Sequence, residues 1–408
     1  MALESTAVLE IGTSTVRVAV GEVRDDGVVS VIGIGEAESM GIRKGEIVNR
    51  DDVIASVRKA IKAAEESLRK SIHSVILVTS GGQAQSRKST GVHRLVDASD
   101  NVITEVTSED VEEVLEIARR VALPESRVKL HTIQQYFQVD DTMNVTNPVG
   151  LAGEQLLADM LTIHGKRSAV ENLRKTVDDA PIACTDAVFS GLCSALAVVN
   201  DAQKQAGVLV IDLGGGTTDF ALYHDGFLQT AGSIAVGAAH ITNDIAIGLQ
   251  IPLSQAEYIK VKEGSALTNL MERDHNISIP KTSHGFGGKM VRAVTLNTII
   301  NARMDEIFTL VKEHIDLQCP NIPLRAGVLL TGGGSFLNGT RDLGQKVFNV
   351  PCVHGKPLDV QGLSSAKEGP LYASLVGAIR YAASLQVVEQ KRPLGQRLIN
   401  YIWGGSHA

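Results

Sequence analysis

Aromatic residues are scarce. Phe, Trp and Tyr make up 4% of the 408 residues, with one tryptophan, Trp403, close to the end. The core must therefore be aliphatic rather than ring-stacked. An excess of positive charge is also missing: 39 Lys and Arg face 46 Asp and Glu, a net charge of −7. No overall field draws nucleic acid, so nucleic acid is not expected among the partners. The four cysteines, Cys184, Cys193, Cys319 and Cys352, form no CxxC pair. They read as reduced thiols of a cytosolic protein rather than a disulfide frame or metal cluster. No apolar run approaches the ~20 residues of a spanning helix. Met1-Ala2-Leu3-Glu4 is not the basic-then-apolar start of a secretory signal, so export by one is not expected. What the chain does have is 39 glycines in an otherwise ordinary globular composition, 44% hydrophobic and 21% charged, which excludes a disordered or fibrous chain. At roughly 100–200 residues per domain, two to four domains are expected.

Residues 6–23 read as two strands, 7–11 and 16–23, around Gly12-Thr13-Ser14-Thr15. Val53, Val57, Ile61, Ala64 and Leu68 recur at helical spacing, and 75–78 is a buried-type strand. This alternation implies α/β layers with part of the sheet parallel. Near residue 84 the texture changes. Residues 83–91 are polar, with a strand-like stretch after them, and 108–121 form an acidic helix with Val111, Val114, Leu115 and Ala118 on one face. A loop over 142–150 precedes a strand over 155–163. We read 84–165 as an inserted α+β subdomain. Residues 271–290 read as a mobile loop before a long helix carrying Leu296, Ile299, Ile300, Ile307, Leu310 and Val311. A last domain helix spans 371–385, and 386–392 reads as a polar linker.

An internal repeat is the most informative feature. Val8-Leu9-Glu10-Ile11-Gly12-x-x-Thr15 matches Val210-Ile211-Asp212-Leu213-Gly214-x-x-Thr217, and four residues on come Ala19 and Ala221. This points to a duplicated domain with a cleft between the halves. Each copy is a hairpin whose turn is rich in glycine and hydroxyls: Gly12, Thr13, Ser14 and Thr15 in one, Gly214, Gly215, Gly216, Thr217 and Thr218 in the other. Without Cβ atoms, backbone N–H groups can form a concave nest, for which phosphate oxygens are the natural ligand. Asp212 and Asp219 offer hard oxygens for a hydrated Mg²⁺, with Glu10 the mirror carboxylate of the first copy. A third turn, Gly332, Gly333, Gly334 and Ser335, follows an apolar strand and would admit a flat base or ribose. Glu257 and Lys260 share a helix face at i, i+3, a spacing that fits either a solvated helix surface or a ribose and base contact.

Hairpin, hairpin and glycine turn in this order resemble the actin-like ATPase superfamily, which includes actin, the Hsp70 ATPase domain and sugar kinases. Within it the chain is similar to the FtsA family of bacterial cell-division proteins over almost its whole length. The residues carrying this are Val8-Leu9-Glu10-Ile11-Gly12-Thr13, Ser108-Glu109-Asp110-Val111, Asn147 to Gly153, Phe189-Ser190-Gly191-Leu192, Val210 to Asp219, Thr242 to Ala246, Leu330 to Gly334 and Tyr372-x-x-x-Val376-Gly377. The resemblance implies an α/β fold of duplicated actin-like (ribonuclease H-like) domains around a nucleotide cleft, with an FtsA-type insert. It implies the divisions 1–83, 166–199 (subdomain 1A), 84–165 (1C), 200–238, 305–386 (2A), 239–304 (2B) and 387–408 (linker and membrane-targeting helix). It also implies an ATP site of Gly12, Thr13, Ser14, Thr15, Asp212, Gly214, Gly215, Gly216, Thr217, Thr218, Gly237, Glu257, Lys260, Gly332, Gly333, Gly334 and Ser335, with Mg²⁺. The implied partners are the C-terminal tail of the tubulin-like FtsZ, bound on 239–304, further copies in a filament, the membrane, and later division proteins. The implied place is the inner face of the cytoplasmic membrane at the division site. Two positions depart from the pattern. Val188-Phe189-Ser190-Gly191 has no acid or amide where Hsp70-like relatives place Glu-Pro and sugar kinases an Asp, so ATP binding with weak or no turnover is expected. Ile133-Gln134-Gln135 lacks the proline usual after that strand. The alternatives are an actin-like pilus-assembly adaptor or an ATPase or kinase of the superfamily.

The tail runs from Pro393 to Trp403. At 100° per residue Leu394, Leu398 and Ile402 align, flanked by Ile399 and Tyr401, with Trp403 at the edge and Arg397 opposite. Such a helix could dock on its own protein or lie among anionic headgroups with its aromatics at the boundary. Ten residues at about 1.5 Å each are too short to span a bilayer. The resemblance favours the membrane surface, where several tails on one polymer would bind together.

Overall fold

The computed structural model describes residues 5–80, 83–95, 103–268, 275–279, 288–363 and 368–390. The tail residues Leu394, Arg397, Leu398, Ile399, Tyr401, Ile402 and Trp403 lie outside the described residues.

The repeat seen in the sequence is a repeat of structure. Strand Thr6–Ile11 runs antiparallel to Thr15–Val23 with Val8 opposite Ala19, and parallel to Ser74–Thr79 with Val8 opposite Ile76. Strand Val208–Leu213 runs antiparallel to Thr218–His224 with Val210 opposite Ala221, and parallel to Val328–Thr331 with Val210 opposite Leu329. The first sheet has six strands in the order Ala183–Phe189, Ser74–Thr79, Thr6–Ile11, Thr15–Val23, Val29–Glu38, Val360–Gln361. The second has five: Phe227–Ile234, Thr218–His224, Val208–Leu213, Val328–Thr331, Cys352–His354. The central strands bury consecutive aliphatics on both faces, as parallel layers require. Helix Arg50–Leu68, capped by the Asn49 side chain, lays Val53, Val57, Ala60, Ile61 and Ala64 on the first sheet.

The insert is a four-stranded antiparallel sheet in the order Thr142–Val145, Arg127–Val139, Gln155–Lys166, Gln85–Arg94. Helix Ser108–Arg119 covers one face, burying Val114, Leu115 and Ala118 and starting in a capping box between Thr107 and Asp110. Val114, Leu115, Phe137, Leu156 and their neighbours form a core of the insert's own, while Leu130, Leu161 and Ile163 join the core beneath the lobes. The insert's polar edge strand lies beside the second lobe: the Ser86 and Thr230 hydroxyls are 3.0 Å apart, Lys88 Nζ donates to Gln229 Oε1 at 3.1 Å, and Ser233 N donates to the Ala84 carbonyl at 2.9 Å.

Four local expectations change. The polar stretch from 83 is itself the strand Gln85–Arg94, since an edge strand facing water on one side needs few apolar residues. The expected loop at 142–150 begins with the strand Thr142–Val145. Within 271–290, Asn276–Ser278 pairs with Met290–Arg292, while 271–274 and 280–287 lie outside the described residues. The last helix, Ala373–Gln390, continues through what reads as the start of a linker.

Helix Ser190–Val198 is wedged between the two sheets and is buried on nearly every side. Small residues let Ala373–Gln390 approach it closely. A Cβ on Gly377 would lie 1.7 Å from the Cys193 carbonyl oxygen, and backbone cannot step aside. Gly377→Ala is expected to cost about 1–3 kcal/mol through overpacking. Gly369→Ala, where an added Cβ meets nothing nearer than 3.4 Å, should cost far less. Urea unfolding of the two variants checks this, and equal midpoints would show that the helix pair can relax apart.

Candidate functional site

The two hairpin tips meet between the lobes. A Cβ on Gly215 would come within 2.7 Å of Ser14 Oγ, and one on Gly216 within 2.2 Å of Thr13 Oγ1. The third turn closes on the same point, with Gly332 at φ +76 and room for no Cβ beside Asp212 Oδ1. Helix Ala238–Leu249 starts here as well. Its first amides are taken by the second hairpin, Ala238 N donating to Gly214 O at 2.9 Å and Ala239 N to Gly215 O at 2.8 Å.

These turns line a cleft of about 340 Å³, at the small end of the usual ligand-pocket range. Of the residues expected at the site, Glu10, Gly12, Thr13, Ser14, Thr15, Asp212, Gly214, Gly215, Gly216, Thr217, Asp219, Glu257, Lys260, Gly332, Gly333 and Gly334 line it. Thr218, Gly237 and Ser335 are not among the lining residues and instead shape its walls. Thr218 Oγ1 donates to Val236 O at 2.8 Å, Ser335 Oγ to Gly332 O at 2.6 Å, and Gly237 N to His240 Nδ1 at 3.1 Å.

The two hairpins differ in charge at equivalent positions. In the first, Glu10 sits opposite Arg17 across the strands, 3.6 Å away, and also accepts from Ser374 Oγ at 2.8 Å. In the second, the same register sets Asp212 opposite Asp219. Ser194 Oγ donates to Asp212 at 2.5 Å and Ser190 Oγ more weakly at 3.5 Å. Burial, then the charge of Glu10, push the Asp212 carboxyl up to about 7. Burial, then Asp212, raise Asp219 well above the ordinary range. Asp219 Oδ1 is buried with no hydrogen-bond partner. Two facing carboxylates of this kind are oxygen donors that a divalent cation would fit. Among the described residues no three His, Cys, Asp or Glu are arranged as a direct metal cage, so the donor set fits an ion that keeps waters and takes other oxygens from a ligand. That is Mg²⁺ chemistry.

Lys260 is not on a solvated face. It is 6% exposed, and its Nζ donates to Glu257 Oε2 at 2.7 Å, Thr242 Oγ1 at 2.8 Å and Ala238 O at 3.2 Å. Val188 and Phe189 end a strand and are fully buried, while Ser190, the next residue, reaches the cleft. Asp186 lies on the same strand, 3.5 Å from Arg174 Nη2, and is not among the cleft-lining residues.

The sequence reading missed Arg17, Thr79, Ser80, Phe336 and Ser374, all cleft-lining. A signal for two of them was present. Val78-Thr79-Ser80-Gly81-Gly82 repeats the sequence pattern of Leu330-Thr331-Gly332-Gly333-Gly334, and Ser74–Thr79 and Val328–Thr331 are counterpart strands.

The raised Asp212 carboxyl has a stability consequence. The folded chain keeps that proton up to about pH 7, whereas an unfolded aspartate releases it near 3.9. The folded state binds more protons between those values, so stability falls as pH rises through the window. In buffer free of Mg²⁺ and nucleotide, Asp212→Asn should be more stable than wild type at pH 8, by about 2–4 kcal/mol, with the gap closing by pH 4. Urea titrations at both pH values measure it; a gap independent of pH would mean that Asp212 ionises normally.

Comparison with known proteins gives the lineage. The profile of the family described as "Cell division protein FtsA" matches residues 209–377, and that of "SHS2 domain inserted in FTSA" matches 81–164. The chain is 32% identical to the cell division protein FtsA of Pseudomonas aeruginosa, covering 97% of both chains. It is 34% identical to that of Escherichia coli K12, covering 91% of this chain and 89% of the relative. Among solved structures, the PilM-PilN type IV pilus biogenesis complex matches with a TM-score of 0.60 at 14% identity, covering 93% of this chain and 98% of that one. MreB5 of Spiroplasma citri bound to ADP matches with a TM-score of 0.54 at 15% identity, covering 95% and 99%. The structural likenesses establish the actin-like fold, and the sequence identities do more: the chain belongs to the FtsA family of cell-division proteins.

Proposed function

We propose that this chain is a nucleotide-switched adaptor that binds Mg-ATP, self-associates into actin-like filaments and tethers FtsZ to the inner face of the cytoplasmic membrane. The observation that carries the nucleotide part is the register match of the two hairpins. It places two glycine turns tip to tip and sets the Asp212–Asp219 pair at the cleft between them. Thr13, Ser14, Thr15 and Thr217 would hold phosphates, and Glu257, Lys260 and Gly333 would hold the ribose and base. Asp212 and Asp219 would hold Mg²⁺ through water, with Glu10 behind them; the ion would supply charge neutralisation of the phosphates. The actin-like MreB5 is bound to ADP in its own structure, which supports the same use of the fold here. The strand end at Val188-Phe189 offers no base, so slow turnover or none is part of the proposal. Asp212→Ala is expected to abolish Mg-ATP binding in calorimetry, and an unchanged affinity would refute the site.

FtsZ tail binding is assigned to 239–304. Helices Ala238–Leu249 and Leu253–Glu263 there expose Ile247, Leu253, Tyr258 and Val261, an apolar set suited to a peptide. The membrane part rests on the amphipathic pattern beyond Gln390. No helix among the described residues is long and apolar enough to cross a membrane, and the proposed attachment is peripheral. Domain limits follow the divisions given from sequence. In a flotation assay with anionic liposomes, the full chain should rise and carry FtsZ with it, while a chain ending at Gln390 should leave both at the bottom. Equal flotation of the two chains, or none by either, would refute the anchor.

A further inference from the structure

Among the described residues, the phosphate end of the cleft lacks an uncommitted cation. The two basic side chains that line the cleft are both held: Arg17 by Glu10 and Glu36, Lys260 by Glu257 and Thr242. The hairpin tips bring only glycines and hydroxyls. A terminal phosphate placed there would have backbone and hydroxyl donors but no cationic side chain free to pair with it.

A second, smaller hairpin of the first lobe reaches that spot. Ile42–Arg43 pairs antiparallel with Glu46–Ile47, and the two residues between them, Lys44 and Gly45, are both left-handed, at φ 53 and 74. This is the backbone of a two-residue primed turn, which lysine adopts reluctantly. The hairpin is tied at its base by Val48 N to Gly41 O at 2.8 Å, and at its side by Lys166 Nζ to Glu46 at 2.9 Å. Its tip crosses to the other lobe. A Cβ on Gly216 would lie 3.0 Å from Gly45 N and 3.1 Å from Lys44 Cα, and Gly45 lines the cleft. Lys44 is exposed and makes no ion pair among the described residues. Its charge reaches His240 in the first turn of helix Ala238–Leu249, adding to the burial that holds that imidazole below its ordinary value.

We infer that Lys44 is a positioning residue that distinguishes nucleoside triphosphate from diphosphate in this cleft. Its ammonium, on a flexible four-carbon stem, pairs with the terminal phosphate and draws the hairpin tip onto Gly216 of the opposite lobe. A diphosphate ends short of it and leaves the two lobes joined by fewer contacts. This rests on the nucleotide reading given above, and it adds the device by which that nucleotide would report its state.

The test is calorimetry of the full chain with Mg²⁺ and either a non-hydrolysable ATP analogue or ADP. Lys44→Gln should weaken the triphosphate about tenfold and ADP less than about twofold. Lys44→Arg, which keeps the charge, should recover most of the loss. The side chain is exposed, so thermal unfolding of the ligand-free variants should match wild type. Equal weakening of both nucleotides, or an unchanged preference in Lys44→Gln, overturns the role of Lys44 while the nucleotide site stands. A wild-type chain that binds neither nucleotide overturns the nucleotide reading, and this inference with it.

Discussion

Two carboxylates held opposite each other across an antiparallel pair repel, and burial makes the repulsion expensive. Asp212 and Asp219 are in that position, and much of the surrounding structure serves to tolerate it. Helix Ser190–Val198 runs through the middle of the molecule and presents Ser190 and Ser194 to Asp212. The equivalent position of the first hairpin substitutes Arg17 for the second acid, which balances Glu10. The duplication therefore did not stay symmetric. One half pairs an acid with a base, and the other pairs an acid with an acid. Burial that raises both carboxyls also makes the charge of the cleft depend on pH.

The same helix links the site to the end of the chain. It packs against Ala373–Gln390 at the Cys193–Gly377 contact, and the latter helix sends Ser374 to Glu10. The cleft thus touches the first turn of the last described helix directly and its next turn through one intermediary. Side chains packed to interior density pass small shifts on rather than absorbing them.

The hairpins, their cleft and the long helices were legible in the sequence because each rests on a local rule: glycine turns, period-two strands, apolar stripes at helical spacing. Elements set by tertiary position were not. Gln85–Arg94 is polar because it is an edge strand, and nothing within its own residues says so. Thr142–Val145 buries only Val145. Glu257 and Lys260 have the same spacing on a wet helix and in a cleft. Only the neighbouring Thr242 and the Ala238 carbonyl, from the preceding helix, separate the two cases. Arg17 and Ser374 were missed for a related reason, as an ordinary strand residue and an ordinary helix residue brought together by the fold.

The insert belongs by chain order to the first lobe, yet its edge strand is stitched to the second through Ser86, Lys88 and the Ala84 carbonyl. It therefore bridges the two lobes on the side away from the hairpin tips. Beside those polar contacts, the Tyr136 ring meets the Phe227 ring edge-on at 5.8 Å, so the seam is apolar as well as polar. The insert's residues thus lie against both lobes, and the spacing between the lobes is written into the packing of a subdomain that, among the described residues, contributes nothing to the cleft lining itself.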